Sequence, residues 1–165
     1  MNDDLIANRL GEFAGSELFA RTFREGMDMV EETAAYLDGP GREESRALSR
    51  TGALAYAGES MRLTTRLMQV ASWLLVQRAV RENEMNTAEA RSGKYRMNDE
   101  KLSKSLSGAQ ELPATLQDLI ARSGRIYERI RRMDENLYGA DQENTGANAV
   151  SEQLARLNAA FVNRG

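Results

Sequence analysis

Residues 58–80, GESMRLTTRLMQVASWLLVQRAV, form the most apolar run of the chain, and their apolar positions recur with helical period. On a 3.6-residue wheel, Tyr56, Leu63, Leu67, Val70 and Leu74 make one stripe. Leu54, Met61, Met68 and Leu75 recur every seven residues and make a second. Ala57, Thr64 and Ala71 fill the strip between them. The combined apolar face is wider than one neighbouring helix can cover. Arg62, Arg66 and Gln69 lie opposite, as a solvent face requires, but Trp73, Val76 and Val80 interrupt that face one turn later. A helix apolar nearly all round is central in a bundle or shared with a second chain. It is not a membrane span, because Arg62, Arg66, Gln69, Gln77, Arg78 and Arg81 break the run too often.

Working outward, the chain reads as all-α. No stretch alternates with the period of a strand, and both prolines, Pro40 and Pro113, stand at helix starts. Upstream, Ser16 is the N-cap of a helix over about 16–37, with a seam of Phe19, Phe23, Met27, Val30, Ala34 and Leu37. Gly26 lies within it and lets a neighbour approach closely, at about 1 kcal/mol of helix propensity. The turn Asp38-Gly39-Pro40-Gly41 is short, so an antiparallel hairpin with the long second helix, about 42–84, is expected. Residues 1–15 read as a leader with Leu5, Ile6, Leu10 and Phe13 as docking points. Residues 86–112 are rich in Ser, Lys, Asn and Gly and read as a polar loop, with Asn98 capping a short helix that carries Leu102 and Leu106. The third helix, about 113–138, presents Leu116, Leu119, Ile120, Ile126, Tyr127, Ile130, Met133 and Leu137. The expectation is an antiparallel three-helix bundle over 1–138, with a long central helix. A flexible tail over 139–165 follows, carrying a short amphipathic helix at about 150–161.

Composition narrows the function. At 41% hydrophobic and 28% charged the chain can bury a core. A net charge of −3 argues against a nucleic-acid or anionic-membrane surface. The start, MNDDLIANRL, is acidic and lacks the apolar core of a signal peptide; with no cysteine, the chain suits a reducing cytoplasm. Histidine is absent too, which removes the usual general base, the nucleophile dyads and most zinc sites. No metal and no cofactor is expected. Glu31, Glu32, Glu43, Glu44 and Glu59 read as solvated surface. Gly39-Pro40-Gly41 lacks the strand before and the Lys-Ser/Thr after that a phosphate loop needs.

Three features remain for binding, each with two readings. Arg122, Arg125, Arg129 and Arg132 are spaced 3, 4 and 3 along one side of the third helix. They are either a solvated flank paired with Asp118 and Glu128 or a docking edge for an acidic partner. Trp73, Val76 and Val80 are either buried under the 86–112 segment or a dimer interface. Leu154, Leu157 and Phe161 line a helix that either packs back on the bundle or docks into a groove on another protein. Surplus apolar surface on the second helix predicts a symmetric homodimer.

The stretch SELFARTFREGMDMVEETAAYLDGPGRE, followed by ALAYAGESMRLTTRLMQVASWLLVQRAV, resembles the alphaproteobacterial regulators of CtrA degradation, the RcdA family. The resemblance runs from Phe13 to Arg81, and the third helix matches in character. It implies a non-enzymatic, dimeric three-helix adaptor that delivers cell-cycle regulators of the CtrA type to the ClpX/ClpP protease. It also implies partnership with a CpdR-type receiver and a PopA-type cyclic-di-GMP effector, and cytoplasmic location with recruitment to a cell pole. The family's C-terminal tail is implicated in contacting the protease assembly. On that reading the tail helix grips the protease and the bundle, with its arginine edge, is the cargo platform. The alternative from another class is a structural or DNA-architectural helical dimer, which the acidic pI of about 5.2 disfavours.

Overall fold

Three long helices dominate the molecule. The computed structural model describes residues 2–98 and 106–139. The described α-helices are α1 (Asn2–Ala14), α2 (Glu17–Asp38), α3 (Pro40–Arg46), α4 (Arg50–Arg81), α5 (Thr87–Ala90) and α6 (Ala114–Asp134). Tight turns at Gly93–Tyr95 and Ala109–Glu111 precede α6, and a π-helical turn at Glu135–Gly139 extends it. No strand occurs among the described residues, so the chain is all-α.

Local chemistry sets the boundaries. The Ser16 hydroxyl accepts from the Phe19 amide at 3.1 Å and starts α2, as expected. The expected second helix is divided. Pro40 opens the short α3, the chain breaks at 47–49, and the Ser49 hydroxyl caps α4 by accepting from the Gly52 amide at 3.0 Å. At its other end α4 stops at Arg81, earlier than the expected position near Glu84, and Asn83 takes a left-handed conformation with φ of 58°. Asn86 caps α5, a short helix inside the expected polar loop.

The direction of the helices corrects the expected antiparallel arrangement. Helix α2 does run antiparallel to α4: Leu37 and Ala34 line a groove with Thr64 and Met68, while Phe23 lies under Arg78. It also runs antiparallel to α6, with Glu32 on Arg122 and Glu25 on Arg129. Helices α4 and α6, however, are parallel. Arg66 meets Ser123, Trp73 meets Asp134, and Gln77 meets Tyr138. The 82–113 segment is therefore a return connection, which brings the chain back from the end of α4 to its beginning. Its far end is fixed there: Ser49 donates to Glu111 at 2.7 Å, and Gly108, at φ of 90°, lies against the Thr51 carbonyl. A Cβ at Gly108 would come within 2.8 Å of that oxygen, so only glycine fits. The Asn98-capped helix expected here falls in residues 99–105, outside those described.

The expected leader is also structured, as α1. Leu10 is 1% exposed, and Phe13 meets Phe19 and Trp73 edge-on at 5.6 and 6.1 Å. The core beneath consists of Leu63, Leu67, Val70 and Leu74 of α4 with Leu116, Leu119, Ile126, Tyr127 and Ile130 of α6. On α2 the buried stripe is rotated by one position from the expected seam. Phe19, Thr22, Gly26, Met29, Thr33 and Tyr36 face inward. Phe23, Met27, Val30 and Leu37 are half-buried at the edge, and Ala34 is exposed. Gly26 explains the rotation. An added Cβ would lie 2.6 Å from Leu74 Cδ1, so α2 and α4 touch where side chains are small. Among the described residues no helix is long and apolar enough to cross a membrane.

Candidate functional site

In a chain without histidine or cysteine, surfaces are the first candidates for function, and the arginine edge of α6 places four like charges along one helix. Its four members divide into two pairs. Arg122 forks onto Glu32 of α2 at 2.7 and 2.8 Å and reaches Asp118 at 3.2 Å. Hydrogen bonding to Arg122 holds the Glu32 carboxyl below its ordinary value, and the same bonds raise the guanidinium's pKa. Arg129 pairs with Glu25 of α2 at 2.5 Å. These two arginines clamp α2 to α6. Arg125 and Arg132 have no carboxylate partner among the described residues; Arg132 donates only to the Glu128 carbonyl at 3.4 Å. Both line a shallow cleft with Ala121, Gly124, Glu128 and Arg129. Of the edge, Arg125 and Arg132 are the members available to an anionic partner.

The Trp73 patch is not a surface. Trp73 is 1% exposed and Val76 8%, and Val80 is half-buried. The indole donates from Nε1 to Asp134 Oδ1 at 2.9 Å, and Phe13 of α1 covers its ring. Asp134 is 2% exposed and also accepts from Arg96 of the return connection at 2.9 and 3.0 Å. Arg96 in turn stacks on the Tyr138 ring at 4.8 Å. Tyr127 donates to the Asn98 carbonyl nearby. The apolar interruption on the wheel is thus the place where α1 and the return connection cover α4. A side chain enclosed by its own chain offers no dimer face, so Trp73 and Val76 are removed as interface residues, while Val80 is half-buried.

The open apolar surface lies elsewhere on α4. Leu54, Met61, Met68 and Leu75 are 67%, 72%, 65% and 50% exposed. Beside them runs a groove between α2 and α4 lined by Val30, Ala34, Leu37, Thr64, Met68 and Ala71, with Thr33 and Leu67 as its floor. At the other end of the same helix pair, Phe23 and Met27 line a second cleft bordered by Arg24, Arg78 and Arg81. The seven-residue repeat signals this face in the sequence, although nothing there tells which of the two stripes is left uncovered. Among the described residues no cluster of acidic side chains could hold a metal. Leu154, Leu157 and Phe161 lie outside the described residues.

Residues 10–161 match the family model described as a protein of unknown function, DUF1465. The crystal structure of RcdA from Caulobacter crescentus CB15 is similar, at 57% sequence identity and a TM-score of 0.66, over 78% of this chain and 97% of that one. No curated protein matches.

Proposed function

This chain belongs to the DUF1465 family and to the family of RcdA, and from that premise we propose that it is a non-enzymatic adaptor in the regulated degradation of CtrA-type cell-cycle regulators. The observation that carries the reading is the 57% identity extending over 97% of the RcdA chain. The absence of histidine and cysteine supports a binding role over a catalytic one.

The adaptor presents cargo to the ClpX/ClpP protease in the cytoplasm, at the cell pole, together with a CpdR-type receiver and a PopA-type cyclic-di-GMP effector. It does so as a homodimer. The bundle is the cargo platform, and Arg125 and Arg132 supply its contact with an acidic partner. The segment with Leu154, Leu157 and Phe161 grips the protease assembly. A reconstituted reaction tests this: ClpX, ClpP, the receiver, the effector and a CtrA-type substrate, with and without the full chain. Accelerated loss of substrate is expected. Unchanged degradation in the complete mixture would refute the adaptor role. A chain ending at Gly139 should still bind cargo but fail to accelerate its degradation. Delivery at full rate by that chain would move the grip onto the bundle.

A further inference from the structure

Every carboxylate of α6 and of the turn that extends it is already engaged. Asp118 pairs with Arg122, Glu128 and Glu135 with Arg131, and Asp134 with Arg96. Of the arginines of α6, Arg122, Arg129 and Arg131 are thereby paired within the chain. Arg125 and Arg132 are exposed and have no carboxylate partner among the described residues. They stand seven residues apart, so they project from the same side of the helix, about 10.5 Å from each other along its axis. On a chain of net charge −3 they make a local reversal of sign.

Gly124 supplies a second, independent observation. It lies in the interior of α6, where glycine lowers helix propensity relative to alanine. The packing of the chain does not explain it. Among the described residues a Cβ added at Gly124 would meet only Arg66 Nη1, at the ordinary contact distance of 3.8 Å, whereas one at Gly26 would collide with Leu74 at 2.6 Å. Gly26 is small toward the chain's own helix; Gly124 is small toward the outside. With Ala121 one turn earlier it floors the shallow cleft whose rim carries Arg125 and Arg132. A floor without side chains lets a backbone come close. The two guanidinia call for carboxylates at a matching separation. We propose that this cleft takes an acidic α-helix of a partner protein, packed along α6 over Ala121 and Gly124, with two carboxylates seven residues apart facing Arg125 and Arg132. A helix repeats that separation on one of its sides. In an extended peptide, residues about 10 Å apart are three positions apart and point to opposite sides, so a helix is the better match. The inference rests on the reading of Arg125 and Arg132 as the contact with an acidic partner, and it gives that partner its form.

The probe is a capped alanine–glutamine helix of about 20 residues with glutamates every seven positions; its control has the same composition with glutamates every five, which spreads them around the helix. Each is titrated into the isotope-labelled full chain at low salt and followed by NMR. Shifts should centre on residues 121–132 of α6, with a dissociation constant on the order of 1 mM. Binding should be about 10-fold tighter than for the control and should fade at high salt. Arg125→Glu combined with Arg132→Glu should abolish binding of this probe and confer binding of the matching lysine helix. Gly124→Leu should weaken the probe about 10-fold while raising the unfolding midpoint, since leucine is the better helix former. Equal binding of the two peptides, shifts centred elsewhere, or full binding by Gly124→Leu each overturns the inference. So does a chain ending at Gly139 that binds where the full chain does not, because the chain's own C-terminal segment then covers the cleft. The degradation reaction distinguishes this site from the adaptor role. If the wild type accelerates loss of substrate and the Arg125→Glu, Arg132→Glu variant matches it, the docking site falls and the adaptor stands. If the probe binds at α6 while the wild type accelerates nothing, the adaptor role falls and the cleft stands.

Discussion

Two stripes of α4 carry nearly the same side chains and meet opposite fates. Leu63, Leu67, Val70 and Leu74 are at most 3% exposed, while Leu54, Met61, Met68 and Leu75 are at least 50% exposed. Hydrophobicity does not separate them; available partners do. The inner stripe faces α6 and the small residues of α2, where Gly26 admits Leu74. The outer stripe is left mostly to solvent, with Met68 at the margin of the α2–α4 groove. Helix α4 therefore has one face that the chain buries and one apolar face that it leaves exposed.

The comparison is most sharply tested at neighbouring residues. Leu67→Ala should cost about 2–5 kcal/mol, from lost burial and the cavity left behind. Chemical denaturation of dilute protein measures it. A loss below about 0.5 kcal/mol would mean that the inner stripe is not the core.

The third face of α4 should respond almost as strongly. Asp134→Ala leaves Trp73 Nε1 without an acceptor and Arg96 without its counter-ion. The expected cost is about 2–3 kcal/mol, as for loss of hydrogen bonds to a buried charge. The return connection should also become more open to proteolysis near Arg96, where it is held to α6 by that carboxylate. Stability and cleavage pattern both unchanged would mean that Asp134 does not fasten the connection.

How much of this is legible in the sequence follows from where each partner lies along the chain. The Ser16 cap and the inner stripe rest on residues a few positions apart and can be read; Gly26 can be read as a point of close approach, but not that Leu74 is what approaches it. The rotation of the α2 stripe cannot. Its buried positions include Thr22, Gly26 and Thr33, chosen for small size rather than hydrophobicity, while larger Phe23 and Met27 sit at the edge. The parallel course of α6 is hidden because a long polar connection has no period from which to infer its direction. Trp73 misleads because its partners, Phe13 and Asp134, are 60 or more residues away in sequence. The inter-helix partners of the arginine edge are hidden for the same reason. Arg122 and Arg129 find carboxylates 90 and 104 residues upstream, and no spacing rule connects them.

Those long-range pairs should matter less than burial. Glu32 is about half exposed, so its pair with Arg122 should contribute under about 1 kcal/mol. Its carboxyl is held below the ordinary value of 4.5 in the folded protein. The stabilisation is therefore fully present above that value and is lost as pH falls through the lower folded pKa. Comparing denaturation midpoints of the wild type and Glu32→Gln across the acid range should show a gap that closes in acid and shrinks in high salt. A gap that widens as pH falls would contradict the assignment.

The smallest effect on folding belongs to the outer stripe. Met68 is 65% exposed and touches core only at the margin of the α2–α4 groove. Met68→Ser should change the stability of the dilute chain by less than about 0.5 kcal/mol, next to a residue where truncation costs several times more. Its consequence should appear with concentration instead. If the outer stripe is the association face, a second copy binds the folded chain and not the unfolded one. Unfolding midpoints of the wild type should then rise as protein concentration rises. Met68→Ser removes a large apolar side chain of that exposed face, so its midpoints should rise far less over the same range. A variant that loses stability in dilute solution would make Met68 part of the core. A variant with an unaltered concentration dependence would leave the exposed stripe without an energetic role in association, and the contrast between the two faces of α4 would reduce to burial alone.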